Sequence, residues 1–234
     1  MTVSVQRLER LEFIFAPWSW SFAEHRRQEI DDFFRRERKE NPALWNGRLL
    51  LLRNGRIADG GMSGAFFETD YASLLAALSW RAMGEAEACF PAAAILTADD
   101  AFIVGEMAAH TRNAGQFLFP SGSVDRADVV GDRVDFVGAL RRELAEETGI
   151  ALDTLEPEDG WYAVSFDSRL PLIKILRAEE TAARLTKRIA ANLAAQSRPE
   201  LSGISVARGP SDLTDRMPVW VAAFLRHAWR QRGA

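Results

Sequence analysis

Three glutamates lie within five positions of the segment RRELAEETGI, residues 141–150. At about 100° per residue of helix, Glu143, Glu146 and Glu147 fall within one arc of about 100°. Like charges at this spacing destabilise a helix and raise one another's pKa. A divalent cation reverses both effects, and several hard oxygen ligands suit Mg²⁺ or Mn²⁺. The cluster therefore predicts a metal site, against the plainer interpretation of a solvated acidic helix face.

The helix that would carry these glutamates has recognisable ends. Asp135 is a good N-cap residue, and Gly149 follows Thr148 where a left-handed C-terminal residue is expected. The apolar residues form a neighbouring arc of the same helix: Phe136, Val137, Leu140 and Leu144. We therefore expect one side of this helix to be buried, with the carboxylates along the edge of that side.

The rest of the chain alternates between helical and strand patterns. A charged amphipathic helix is expected before Pro42, a strand with a turn at Asn54-Gly55 follows, and a second strand leads into a helix from about Tyr71. Further strands, with turns at Asp99-Asp100 and near Arg169-Leu170-Pro171, are followed by a helix, a strand and a last helix. This order predicts an α/β fold with a mixed sheet sandwiched by helices. We expect a small α+β N-terminal layer over residues 1–88 and a catalytic domain over residues 89–234.

Composition narrows the class of protein. The chain has 234 residues, is 47% hydrophobic and carries a net charge of −4, which argues against a general affinity for nucleic acid or anionic membranes. Cys89 is the sole cysteine, so no intrachain disulfide is expected. The N-terminus lacks the pattern of a signal peptide, and no apolar run suits a membrane span, so a cytoplasmic protein is expected.

The segment from Arg142 to Ile150 resembles the second half of the Nudix box, R-E-U-x-E-E-x-G-U, in which U is apolar. All of the specified positions match. The preceding loop, PSGSVD, is similar to the glycine loop of that family. The resemblance implies a Nudix-type α/β/α sandwich with a mixed sheet.

The first half of the box departs from the family pattern. Nineteen residues separate Gly122 from Arg142, and Val134 stands where the family has a glutamate that orients the arginine. An insertion of about six residues within RADVVGDR explains the spacing, because loops tolerate insertions at little cost. We expect this loop to lie outside the catalytic apparatus. Asp125, Asp132 or Asp135 could then orient Arg142.

The resemblance also implies a reaction and the residues that perform it. The expected reaction is Mg²⁺- or Mn²⁺-dependent hydrolysis of a nucleoside diphosphate linked to another group. By position, Gly122, Glu143, Glu146 and Glu147 match metal ligands. The implied catalytic residues are Arg142, Glu146, Glu147 and a late-loop acidic residue, for which Glu200 is the first candidate and Asp167 the second. Either of the last two could instead be an ordinary loop residue.

Substrate identity rests on shorter segments. The stretches LWNGRL, ETDYASLL and LTADDAF are similar in order and spacing to a branch of Nudix proteins that cleave UDP-sugars to UMP and sugar 1-phosphate. Trp45, Asn46 and Tyr71 could bind substrate or simply pack. ADP-ribose, NADH and CoA esters stay open as substrates. We expect a small-molecule nucleotide as the partner, with no nucleic acid or membrane, and leave a homodimer open. The alternative function is a catalytically inactive Nudix domain that binds a nucleotide metabolite as sensor or scaffold.

Overall fold

The computed structural model of the protein describes residues 2–233. Within that range the α-helices are α1 (Ser21–His25), α2 (Arg27–Glu40), α3 (Tyr71–Ser79), α4 (Phe136–Thr148), α5 (Ala182–Ala195) and α6 (Val219–Arg232). The strands are β1 (Ser4–Leu8), β2 (Arg10–Phe15), β3 (Arg48–Ala58), β4 (Gly61–Asp70), β5 (Ala86–Leu96), β6 (Phe102–Met107), β7 (Phe117–Leu118), β8 (Val129–Val130), β9 (Arg133–Val134), β10 (Glu156–Pro157), β11 (Trp161–Ser165), β12 (Arg169–Arg177) and β13 (Leu201–Ala207). None of the described helices is long and apolar enough to cross a membrane.

The strands form one mixed sheet with the order β1-β11-β12-β5-β3-β4-β2-β9-β8. β5 is its central strand, because it pairs in parallel with β12 and antiparallel with β3 and β6. A branch of the sheet leaves β5 through β6, which also pairs with β7 and with β13, both antiparallel. β2 and β4 form the second parallel pair. The sheet therefore contains both parallel and antiparallel pairs, as the sequence predicts.

Helices cover both faces of this sheet. Consecutive residues of a strand point to opposite faces, and on β11 the ring of Trp161 lies 6.3 Å from that of Phe136 in α4. The next residue, Tyr162, lies 5.5 Å from Phe224 in α6. α4 and α6 thus pack on opposite faces. The predicted α/β sandwich with a mixed sheet is confirmed.

The sheet continues across the predicted boundary between residues 88 and 89, which falls inside β5. β1, from the start of the chain, pairs with β11 in the register Ser4 to Ser165. One buried apolar cluster contains Leu8, Leu50 and Phe66 together with residues of α4, α5 and α6. Smaller clusters around Phe67 and Ile30 belong to the first third alone. The division into two domains stays a prediction.

Several local predictions need correction. β1 and β2 were not expected, because charged residues interrupt the apolar pattern of LERLEFIF. Asn54 and Gly55 form an irregularity inside β3, where the register shifts, and the chain reverses instead at Asp59-Gly60, both with positive φ. The turn expected near Arg169-Leu170-Pro171 lies at Asp167-Ser168. In both cases the reversal occurs at residues that accept the left-handed conformation.

Candidate active site

Helix α4 begins and ends as its sequence predicts. The Asp135 side chain accepts a hydrogen bond from the Gly138 N–H at 2.9 Å, and Gly149 follows the helix with φ 71°. The face that carries Ala139, Leu140 and Leu144 is buried in the core. Because the ends of α4 and its buried face are both fixed, the positions of its glutamates are fixed as well.

Two of the three glutamates are buried. Glu143 and Glu147 are only 9% and 5% exposed, whereas Glu146 is exposed. Their spacing of four residues places Glu143 and Glu147 one turn apart on the same side of the helix. Buried carboxylates of this kind are rare in proteins unless they are paired or bind a cation.

The glycine loop packs directly against these carboxylates. Ser121 bridges to Ala92 of β5, and Pro120 O accepts from the Ala93 N–H at 2.8 Å, so the loop is fixed to the central strand. A Cβ at Gly122 would overlap the Glu143 carboxylate, so a larger residue there would require that side chain to move. The Ser121 backbone lies close enough to the Glu147 carboxylate to favour its charged form.

Burial and mutual repulsion raise the pKa of both buried carboxyls. Loss of hydration raises the pKa of Glu143 to about 7, and the charges of Glu146 and Glu200 add to the shift although Arg142 opposes it. Burial also raises the pKa of Glu147 well above its usual range, and the neighbouring charges of Glu143 and Glu200 reinforce this. The site concentrates negative charge that the protein only partly compensates.

Arg142 has a partner that the sequence interpretation missed. Its Nη2 donates to Asp128 Oδ2 at 2.9 Å, and its Nη1 donates to Glu143 Oε1. Burial opposes a charged guanidinium, but the hydrogen bond that Arg142 donates to Asp128 and the charge of Glu143 raise the pKa of Arg142. The predicted partners Asp125, Asp132 and Asp135 are wrong.

Each of those three aspartates has another local role or none. Asp125 caps the short 3₁₀ turn Arg126–Asp128, and Asp135 caps α4. The Asp132 side chain is exposed, and only its carbonyl is used, by the Phe15 N–H. The sequence offered one signal for Asp128: a capping box links it to Asp125, which fixes its carboxylate.

The segment between the glycine loop and α4 therefore supports the site. β8 and β9 form a small hairpin that reaches β2 through the pairing of Ile14 with Arg133. The Arg126 guanidinium lies 4.1 Å from the centre of the Phe15 ring. Anchored at these points, the segment holds Asp128, which is 7% exposed, against Arg142. This corrects the expectation of a loop outside the catalytic apparatus.

A cavity of about 620 Å³ brings the predicted residues together. Its walls include Gly122, Arg142, Glu143, Glu146, Glu147 and Glu200. Glu200 lies just before β13, held by a hydrogen bond from the Ala108 N–H to its carbonyl at 2.8 Å. Asp167 does not line this cavity. His110 and Arg198 do line it, and no motif in the sequence had singled them out.

The donor set fits a hard divalent cation in chemistry but is not arranged around one point. Within residues 2–233, no group of three or more His, Cys, Asp and Glu side chains is placed to hold a metal ion. Glu143 is instead engaged by Arg142. The carboxylates of Glu143, Glu146, Glu147 and Glu200 nevertheless share one cavity, and carboxylate oxygens are the ligands that Mg²⁺ and Mn²⁺ prefer.

The residues considered for substrate binding divide into two groups. Trp45, 81% exposed, and Tyr71 line the glutamate cavity. Asn46 is used structurally, because its side chain accepts from the Ala72 N–H at 2.8 Å at the start of α3. Asp99, in the LTADD segment, accepts hydrogen bonds from Ala182 N and Arg208 Nη2, each at 2.7 Å, and so ties the β5–β6 turn to α5 and β13.

Comparison with known proteins gives only distant likenesses. No protein-family model and no curated protein matches the chain. Among solved structures, the MutT protein from Methanosarcina mazei Go1 is 18% identical, with a TM-score of 0.42, over 63% of this chain and 96% of that chain. The M. smegmatis Nudix hydrolase RenU is 13% identical, with a TM-score of 0.41, over 63% and 85% of the two chains. A Nudix hydrolase from Nitrosomonas europaea is 17% identical, with a TM-score of 0.37, over 61% and 89%. Likenesses this distant support no statement about activity.

Proposed function

We propose that this protein is a Nudix-type hydrolase that cleaves the pyrophosphate bond of a nucleoside diphosphate linked to another group. The observation that carries the proposal is the gathering of four glutamates and Arg142 around one cavity, beside a glycine loop. Two of those glutamates are buried with raised pKa values. Strongly perturbed carboxyls in a cavity mark functional sites more often than structural ones.

The residues of the cavity suit phosphoryl chemistry. Glu143, Glu146 and Glu147 would hold Mg²⁺ or Mn²⁺, with the Gly122 carbonyl as a further ligand. When bound, the ion would neutralise charge on the phosphoryl oxygens and lower the pKa of a water molecule. Arg142, fixed by Asp128, orients the Glu143 carboxylate. Arg112 and Arg198, which also line the cavity, can bind phosphoryl oxygens.

Glu200 is our candidate for the proton acceptor. It belongs to a different element from the α4 glutamates, yet its charge contributes to the raised pKa of both Glu143 and Glu147. A carboxylate at that position can take a proton from the attacking water. The water oxygen would then bond to phosphorus while the bridging P–O bond breaks, which gives a nucleoside monophosphate and the phosphorylated second group.

For the substrate we propose a UDP-sugar, cleaved to UMP and sugar 1-phosphate. Support comes from Trp45 and Tyr71, since the LWNG and TDY segments both contribute to the cavity wall. Asn46 and Asp99 give no support, because both make hydrogen bonds within the fold.

The test is a panel of UDP-glucose, GDP-mannose, ADP-ribose and NADH with Mg²⁺, with products identified by chromatography. We expect the highest kcat/KM for UDP-glucose and no turnover in excess chelator. A preference for ADP-ribose or NADH would reject the uridine substrate but keep the reaction. No hydrolysis of any nucleoside diphosphate derivative would reject the function.

A further inference from the structure

A second cavity adjoins the glutamate cavity. Its volume is about 610 Å³, and it shares the residues Tyr71, Arg112, Asn113, Leu118 and Ser123 with the first. Its remaining walls come from α3, from β5, from Gln116, from the turn between β11 and β12 and from the start of α6. A molecule whose phosphates lie beside the glutamates could therefore extend one end into this space.

The walls of the second cavity suit a flat ring. Phe90, Phe166 and Trp220 line it together with Tyr71, and the Phe90 and Trp220 rings meet edge to face at 6.0 Å. Aromatic walls bind planar groups by stacking, which adds to the free energy of burying their surface.

Two amide side chains line the cavity, and Arg112, which pairs with Glu37, lies beside them. The side-chain amides of Asn113 and Gln116 are exposed and form no hydrogen bond with other described residues, so they are free to bind a ligand in place of water. An amide both donates and accepts, so it can read the edge of a nucleobase.

Arg169, another residue of the cavity wall, has few partners within the protein. Among the described residues it forms no ion pair, and its guanidinium makes only a 3.4 Å contact to Asp167 O and lies 5.7 Å from the Phe166 ring centre. It is half-buried at the start of β12. A guanidinium has only donors, so it fits ring carbonyl oxygens. Uracil presents two carbonyl acceptors, whereas the acceptors of adenine are ring nitrogens beside an amino donor.

We propose that the second cavity binds the nucleobase, that this base is a pyrimidine with two ring carbonyls, and that Arg169 determines this specificity. The inference deepens the proposed function and rests on it for the position of the phosphates. It also gives the first third of the chain a role, because Leu74 and Leu78 of α3 form part of the pocket wall.

The test measures binding of UMP by calorimetry without metal, so that it does not depend on hydrolysis. Arg169→Met keeps the apolar stem and removes the donors; Ser79→Trp fills the cavity from the exposed end of α3. We expect each change to weaken UMP binding at least tenfold. Arg177→Met, at the other end of β12, and Ser211→Trp, on an exposed turn, are matched controls that should bind UMP as the wild type does.

A second measurement on the same variants compares their activity on a uridine substrate and on an adenosine substrate. The ratio of kcat/KM for UDP-glucose to that for ADP-glucose should fall at least tenfold in Arg169→Met. Unchanged UMP binding in both folded variants, or equal binding of UMP and AMP by the wild type, would overturn the inference. If the protein hydrolyses UDP-glucose but Arg169→Met changes neither UMP binding nor specificity, the base site is rejected and the proposed function stands. If Arg169→Met weakens UMP binding but no nucleoside diphosphate derivative is hydrolysed, the proposed function is rejected and the base site stands.

Discussion

Glu143 and Glu147 are the residues whose environment demands an explanation. A protein core does not hold two adjacent carboxyls for stability, because their charged forms lose hydration and repel each other. The Glu143 carboxylate also packs closely against Gly122 of the glycine loop. A cation that binds when the carboxyls ionise accounts for both features.

Removing one charge should weaken metal binding. Glu147→Gln changes charge and not volume, so the helix should stay folded while the affinity for Mn²⁺ falls at least tenfold, as measured by calorimetry. Glu179→Gln, an exposed glutamate elsewhere, serves as the control. Equal affinity for Mn²⁺ in wild type and Glu147→Gln would exclude this carboxylate as a ligand.

The raised pKa of Glu143 predicts how stability depends on pH. Its pKa is about 7 in the folded protein against 4.5 when unperturbed, so the folded state binds the proton more tightly. The stability that this carboxyl contributes is fully present below pH 4.5 and is lost as pH rises through about 7. The loss amounts to roughly 3 kcal/mol.

Melting curves of the metal-free protein would check this. Glu143→Gln should be more stable than the wild type at pH 8 and close to it at pH 4.5. Added Mg²⁺ should raise the wild-type melting temperature more at pH 8 than at pH 6, because it binds the ionised carboxylates. A wild-type protein whose stability rises between pH 5 and pH 8 without metal would contradict the assignment.

At the scale of elements, the segment between the glycine loop and α4 supplies the residue that orients Arg142. Val134 cannot orient Arg142, and Asp128 does so from the 3₁₀ turn. The segment's own pairing with β2 keeps that turn in place.

Asp128→Asn should lower kcat by about tenfold or more and also lower the melting temperature, because it removes one of the two buried carboxylates that pair with Arg142. Asp132→Asn, in the same segment but exposed, should change neither. Deleting six residues that include Asp128 should likewise abolish activity. Full kcat in a folded Asp128→Asn protein would show that Arg142 needs no partner.

Sequence reasoning succeeded where a local rule decides the structure. α4 was predicted with both ends, because Asp135 and Gly149 each act within a few residues. Asp128 was missed because its contact with Arg142 depends on how the inserted segment folds back. β1 was missed because its pairing with β11 joins residues at distant points of the chain. Contacts over long separations leave little trace in local patterns.

On the scale of the whole molecule, the first third and the rest share one sheet and one apolar cluster. β5 crosses the predicted boundary, and β1 completes the edge beside β11. Both cavities also have walls from the two parts, through Tyr71 and the residues around Arg112. We infer that neither part makes the site alone.

A fragment of residues 89–234 should therefore fail to fold, because it would expose the sheet edges and apolar surface that the first third covers. Far-ultraviolet circular dichroism of the fragment should show little regular secondary structure, and its amide NMR spectrum should show poorly dispersed signals. The intact chain should melt in a single transition followed equally by tryptophan fluorescence and circular dichroism. A fragment with dispersed amide signals would establish an independent domain instead.

The most direct test of the whole account is to identify the products of UDP-glucose hydrolysis by wild type and Glu147→Gln, with Mg²⁺ and with excess chelator. We predict UMP and glucose 1-phosphate in equal amounts from the wild type with Mg²⁺. Chelator should abolish turnover, and Glu147→Gln should reduce it by orders of magnitude. Release of UDP and free glucose, or full turnover in chelator, would contradict the assignment of a metal-dependent pyrophosphate hydrolysis to the glutamates of α4.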